Sequence, residues 1–329
     1  MIACRRALAT FCFCFLLLPV SSFAADHEYP PPWPSSDITV TVPFNKGSEA
    51  DSLFSLLRSS FESKKKWKML ADYLPGRAGA DGWARIMDGV PDGSVLTLVV
   101  LPDAFLRSMQ RDSGVSLDSM AITNIIAQMP CVLWGGEPTA SIASLDAFID
   151  AAVTTKEKFM VAGPGRYSAA QIAARVLDRE IGTRTTFVPY VDSVSAAKAF
   201  LDRHATAFWG HSVPVTVAEY PDAKLTPLAV AGVERLPSMP NVPTFREIGP
   251  NVIQGVSIGL AVSPTTPKIT QEEISEYFST FAKSQEFKTQ ASRLGFVPLD
   301  VDMETMSVFL MEMQTLAKRQ ANAYDLHEQ

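Results

Sequence analysis

Cysteine is scarce in this chain, and three of its four cysteines, Cys4, Cys12 and Cys14, fall within the first 14 positions. Cys131 is left alone, which excludes an internal disulfide and a thiolate metal cage in the remaining sequence. Histidine is equally sparse: His27, His204, His211 and His327 show no metal-ligand spacing, so no zinc site is expected. Positive charge is short as well. Lys and Arg total 29 against 35 Asp and Glu, a formal charge of −6, which argues against a nucleic-acid partner. Beyond the first 20 residues no apolar run approaches the length of a membrane span. Gly163-Pro164-Gly165 lacks the third glycine of a dinucleotide loop, and no cofactor is expected.

At the N-terminus, Arg5 and Arg6 precede an apolar run from Ala7 to Val20 that gives way to Ser21-Ser22-Phe23-Ala24. A basic start, a short apolar core and small residues before a cleavage point make a secretory signal peptide over 1–24, cut after Ala24. Loss of two arginines and no acids takes the net charge from −6 to about −8. Residues 25–36 then read as a stiff leader, with prolines on both sides of Trp33, and no core is expected from it.

The body alternates apolar strands with amphipathic helices, an α/β pattern. Ile38–Val42 is a strand, and Leu53, Leu57 and Phe61 recur on one helix face, with Ser48 to Asp51 at the helix start. Unpaired first-turn N–H groups and the helix dipole make the Phe44-Asn45-Lys46-Gly47-Ser48 loop an anion cradle. Val95–Leu101 is nearly continuous apolar strand, and 122–134 reads as one long strand broken by Gly135-Gly136-Glu137-Pro138, a crossover between two lobes. Ser144 is placed as an N-cap, and a second strand-loop-helix passes through Gly163-Pro164-Gly165-Arg166-Tyr167-Ser168, a second cradle. Thr270-x-x-Glu273 suggests a capping box, Gly295 a helix stop, and Met303 to Leu326 a last helix with a Met-rich apolar stripe. The expected lobes are 37–133 with 258–329, and 134–257.

Gly255-Val256-Ser257-Ile258-Gly259 matches the nucleophile elbow of α/β-hydrolases, which would make Ser257 a nucleophile. Its context opposes this, because the pentapeptide runs on into Leu260-Ala261-Val262 rather than turning into a helix, and the only later histidine is His327. Cys131 sits in an apolar strand and reads as packed thiol.

Val42-Pro43-Phe44-x-x-Gly47 followed by Asp51 resembles the opening of the tripartite tricarboxylate transporter substrate-binding proteins, the Bug or TctC family. Leu74-Pro75-Gly76-Arg77-Ala78-Gly79, Pro91-Asp92-Gly93, Val188-Pro189-Tyr190, Leu228-Ala229-Val230 and Leu236 to Thr244 resemble its further blocks, in the family's order. The resemblance implies a type II periplasmic binding protein: two α/β lobes, each a mainly parallel sheet flanked by helices, with the ligand cleft between them and no catalytic chemistry. It also implies a periplasmic, monomeric receptor that captures a small carboxylate and delivers it to membrane transporter subunits. A sensor feeding a signalling kinase would share every one of these features. Carried over by position, Phe44, Asn45, Lys46, Gly47, Ser48 and Asp51 form the first wall, with Phe44 apolar and Asp51 ordering the loop. Gly163, Gly165, Arg166, Tyr167, Ser168, Gln171, Tyr190 and His211 form the second. Lys46, Arg166 and His211 depart from the family pattern, and all three are expected to make the cleft more positive.

Overall fold

A computed structural model describes residues 32–110, 113–136, 142–154, 159–215 and 217–324. The signal sequence over 1–24, most of the leader, His27, His327, and the Glu137 and Pro138 of the expected crossover lie outside the described residues.

In the first half of the fold, β1 (Ile38–Val42) leads into α1 (Glu49–Lys64), which buries Leu53, Leu57 and Phe61 as their spacing predicts. Ser48 caps α1, its hydroxyl accepting the Asp51 N–H at 3.3 Å. β2 (Met69–Tyr73), α2 (Ala80–Ala84), β3 (Val95–Leu101) and α3 (Asp103–Ser108) follow. Then comes β4 (Ala121–Gly136), 16 residues long. Beyond it, α4 (Leu145–Thr154), β5 (Met160–Pro164), α5 (Ala169–Ile181), β6 (Thr186–Tyr190), α6 (Ser193–Leu201), β7 (Ala207–His211) and β8 (Leu225–Val230) build the second half. β9 (Gly255–Val262), α7 (Lys268–Lys283), α8 (Gln285–Leu294), β10 (Val297–Val301) and α9 (Met306–Ala323) return to the first.

The strands run in the order β2-β1-β3-β9-β4-β7-β5-β6, with β8 and β10 added on β4. Pairing is parallel at the outer ends, β1 with β2 and β3, and β5 with β6 and β7, and antiparallel at β3–β9, β9–β4 and every other β4 contact. Parallel pairing is thus confined to the outer strands, and the sheet as a whole is mixed. β4 serves both halves: residues 121–130 pair with β9, whereas 131–136 pair with β7 and β8. One apolar cluster runs along the sheet from Phe54 and Phe61 to Phe148 and Ile172, and a second, around Trp134, Phe200 and Phe208, covers part of the second half. Trp134 and Phe208 stack there at 6.1 Å.

Two sequence expectations need correction. The leader does contribute core: Trp33 is 8% exposed, its Nε1 donates to Gly93 O at 2.8 Å, and its ring meets Phe61, Tyr277 and Phe278. A flat aromatic with one donor fills a gap that flanking prolines do not reveal. Thr270 caps nothing, because α7 begins earlier, after Pro267, and Glu273 instead accepts the Trp33 N–H at 2.9 Å. Ser144 does cap α4, Gly295 ends α8, and the last helix is α9, shorter at both ends than expected. Among the described residues no helix is long and apolar enough to cross a membrane.

Candidate functional site

Ligands of open α/β sheets collect at the carboxyl ends of strands, where the chain leaves one element and starts the next. Five such ends meet here. Phe44 follows β1, Asp103 follows β3, Gly165 follows β5, Val191 to Ser193 follow β6, and His211 ends β7; all of them line one cavity between the two halves of the sheet. Its free volume is about 20 Å³, room for about one water. Phe44 is its apolar wall, standing edge-on to Trp83 at 6.4 Å, with Val100 and Met129 beside it.

The two halves touch through polar bonds across this cavity. The Asn45 N–H donates to Asp192 Oδ2 at 2.7 Å, and the Ala169 N–H, in the first turn of α5, donates to Asp103 Oδ1 at 2.8 Å. Arg107 Nη2 donates to the Arg166 carbonyl at 2.8 Å. His211 Nδ1 lies 3.1 Å from Glu49 Oε1, with both side chains buried. Gly165 comes so near Ala78 that a Cβ built on it would stand 2.7 Å from the Ala78 Cβ, and its φ of +68° also favours glycine.

Electrostatics tie these groups together. Burial alone would drive the Glu49 carboxyl up, but the hydrogen bond and charge of His211 hold it below its usual value. Burial alone would push His211 down, yet Cys131 and Glu49 raise it well above the normal imidazole range, so the pair is an imidazolium–carboxylate ion pair. Asp103 is pushed up to about 6, chiefly by burial and only partly relieved by the Ala169 N–H. Burial lifts the Cys131 thiol as well, so it is a packed neutral neighbour of His211. Ser193 stands close enough to Glu49 to help lower its pKa without closing a hydrogen bond of normal geometry.

The expected residues divide. Asp51 orders the first loop: its Oδ2 accepts the Gly47 N–H at 2.8 Å, Tyr73 donates its hydroxyl to Oδ1, and Gly47 takes φ +87°. Phe44, Gly165 and His211 line the cavity. Ser48 and Ser168 are buried caps of α1 and α5, and Gln171 Oε1 accepts the Tyr167 N–H at 2.7 Å, so these side chains shape the loops from within. Gly163 is buried against Phe187, and the Tyr190 carbonyl accepts the Gly165 N–H. Lys46 and Arg166 are exposed and do not line the cavity.

The picture of a positive cleft with unpaired amides is therefore corrected. Side-chain carboxylates of this chain already take an amide in each cradle, Asp192 in the first and Asp103 in the second. The charged lining is Glu49, Asp103, Asp192 and His211, three acids to one base. None of these acids was expected at the site. Their positions carried a signal, since Glu49 and Asp103 open α1 and α3 and Asp192 caps α6, each at a helix start that follows a strand, where acids satisfy free N–H groups.

A roomier hollow, about 330 Å³, lies where β4 and β9 face α9, near Met129, Ile253 and Met313, but no charged side chain lines it. Ser257 borders it from within β9, which runs unbroken through Gly255 to Val262, so the elbow geometry is absent at this serine. Among the described residues no cluster of three or more His, Cys, Asp or Glu is arranged to hold a metal ion.

A mixed sheet in two halves, joined by one long strand and closing on a cavity at strand ends, defines a type II periplasmic binding protein fold. The chain belongs to the tripartite tricarboxylate transporter receptor family, TctC, whose model matches residues 69–322. It is similar to the UPF0065 protein in the TAR-I ttuE-ttuC' intergenic region of Agrobacterium vitis, 25% identical over 295 residues, covering 87% of this chain and 84% of that one. In fold it resembles an R. palustris protein solved with adipate, at TM-score 0.81 and 18% identity, covering 89% of this chain and 98% of that one. It also resembles MatC from Rhodopseudomonas palustris with bound malate, at TM-score 0.72 and 21% identity, covering 90% of this chain and all of that one.

Proposed function

We propose that this chain is a periplasmic solute receptor that captures a small organic acid and presents it to the membrane subunits of a tripartite tricarboxylate-type transporter. It acts as a monomeric clamp, with one lobe formed by 37–133 and 258–329 and the other by 134–257. The observation that carries the reading is the cavity at the meeting of five strand ends, bridged by hydrogen bonds that join residues of one half to residues of the other. Family membership over 69–322 supports it, as do the adipate and malate bound by two proteins of the same fold.

A solute drives such a clamp by binding the closed arrangement better than the open one, and it shifts the population only by that difference in affinity. The internal bridges Asn45–Asp192, Ala169–Asp103 and His211–Glu49 already favour closure, so the cavity of about 20 Å³ must widen to admit any organic acid. No covalent chemistry is required of the lining residues.

The test is a thermal-shift screen of the processed protein against mono-, di- and tricarboxylates, with mass spectrometry of whatever solute copurifies and small-angle scattering with and without it. A solute that raises the melting temperature and compacts the particle is the expected result. If no small molecule of any class copurifies or stabilises the protein, the receptor reading is wrong.

A further inference from the structure

Resting on the receptor reading above, we propose that the two lobes carry their own latch: Asp103 and Arg107 on α3, and Asp192 at the start of α6, each hold a loop of the opposite lobe, so that the receptor shuts without a solute and admits one only when these bonds break. The latch begins with α3. Asp103 and Arg107 stand one turn apart on it and so share a face. Asp103 Oδ1 accepts the Ala169 N–H at 2.8 Å, Arg107 Nη2 donates to the Arg166 carbonyl at 2.8 Å, and the Arg107 guanidinium lies over the Tyr167 ring at 5.9 Å. One turn of helix thus grips the segment that joins β5 to α5 at Arg166, Tyr167 and Ala169. Tyr167 takes φ +59°, uncommon for a residue with a side chain, and is held from within its own lobe by Gln171 and from across the seam by Arg107.

The other lobe reaches back through Asp192. Its Oδ1 accepts the Ser195 N–H at 2.9 Å and caps α6, while Oδ2 crosses to the Asn45 N–H at 2.7 Å, in the loop between β1 and α1. Each lobe therefore gives a carboxylate to a main-chain donor of the other. Ala169 lies in the first turn of α5, where a helix has no acceptor for its own N–H groups, so Asp103 supplies what α5 cannot. A hydrogen bond with one charged partner shifts an equilibrium by about tenfold or more. Deeper in, the His211–Glu49 pair crosses the same seam. Parting the lobes breaks all of these bonds together, so their effects multiply. While they hold, the cavity behind them keeps only about 20 Å³, too little for an organic acid.

The experiment uses the processed protein, stripped of solute by dialysis from urea, confirmed refolded by circular dichroism and solute-free by mass spectrometry. At pH 7.5, where Asp103 is ionised, small-angle scattering of the wild type is expected to match the closed structure. Amide exchange followed by magnetic resonance then separates a latch from a set of local contacts. Asp192→Ser keeps a short cap for α6 and loses the reach to Asn45; it should speed exchange at Ala169, whose bond it does not touch, by at least about tenfold. Asp103→Ala should speed exchange at Asn45 by a similar factor, and amides within β3 and β5 should keep their rates in both variants. The triple variant Asp103→Ala, Arg107→Met, Asp192→Ser should scatter as a more expanded particle than wild type. A solute-free wild type more expanded than the closed structure overturns the latch, and so does acceleration confined in each single variant to its own amide. Either result leaves the receptor reading intact, because that reading fails only in the screen for a bound solute.

Discussion

Replacing Asp103 by Asn should stabilise the protein at neutral pH, and by an amount that depends on pH in a defined way. Asp103 is buried and its pKa is raised from 3.8 to about 6. Two pKa units correspond to about 3 kcal/mol of preference for the protonated form in the folded state. Because the folded value lies above the unfolded one, the carboxyl costs nothing below pH ~4, costs progressively more between pH ~4 and ~6, and carries its full penalty above that window. Asn keeps an oxygen for the Ala169 N–H and removes the charge. Glu49, whose pKa is depressed, acts with the opposite sign, adding stability that is lost as pH falls from its ordinary value through its lowered one, and His211 loses its contribution as pH rises from the ordinary imidazole range through its raised value. Wild type and Asp103→Asn share Glu49 and His211, so the difference between them across pH 4.5 to 6.5 reports Asp103. Urea unfolding followed by circular dichroism at half-unit steps should show the lead of Asp103→Asn over wild type widening across this interval, to about 3 kcal/mol at pH 7.5. A difference that does not change with pH, or a variant weaker than wild type at pH 7.5, would refute the assignment of a buried, destabilised carboxylate.

Further substitutions probe other parts of the structure. Glu49→Gln should cost about 3–5 kcal/mol by urea unfolding, since it leaves a buried imidazolium without its partner, and adding His211→Gln should recover much of the loss. Trp33→Ala should lower stability by about 3–5 kcal/mol, the usual cost of emptying a large aromatic site, whereas a true leader residue would show no change. Asp51→Ala should cost about 2–3 kcal/mol through loss of the Gly47 and Tyr73 hydrogen bonds, and should speed amide exchange at Gly47 while leaving exchange in β5 untouched.

Most of the strand and helix order was legible because it rests on local patterns: Leu53, Leu57 and Phe61 on one face of α1, the apolar run of β3, and Ser48 and Ser144 at helix starts. The placement of the site at strand ends was legible for the same reason. What occupies it was not. Asn45 meets Asp192 across 147 positions and Glu49 meets His211 across 162, and no short-range pattern encodes which donor will face which acceptor. Helix starts announce free N–H groups, but an acid at such a start reads equally as a cap for its own helix or as a partner for a distant loop. Lys46 and Arg166 misled for a related reason: a long basic side chain beside a cradle has the reach to enter it, yet solvation of the charge keeps it outside. Trp33 was hidden because its partners lie on α1 and α7, and the prolines around it carry the signature of a linker.

The contact between Gly165 and Ala78 has a use of its own. Shut jaws that meet on a methyl group can be propped by whatever replaces it, so Asn, Leu and Phe at position 78, whose φ of +54° excludes β-branched residues, would act as doorstops of increasing thickness. Such a series would dial the aperture in steps, and would let the gap needed for solute entry be gauged separately from the affinity of the walls.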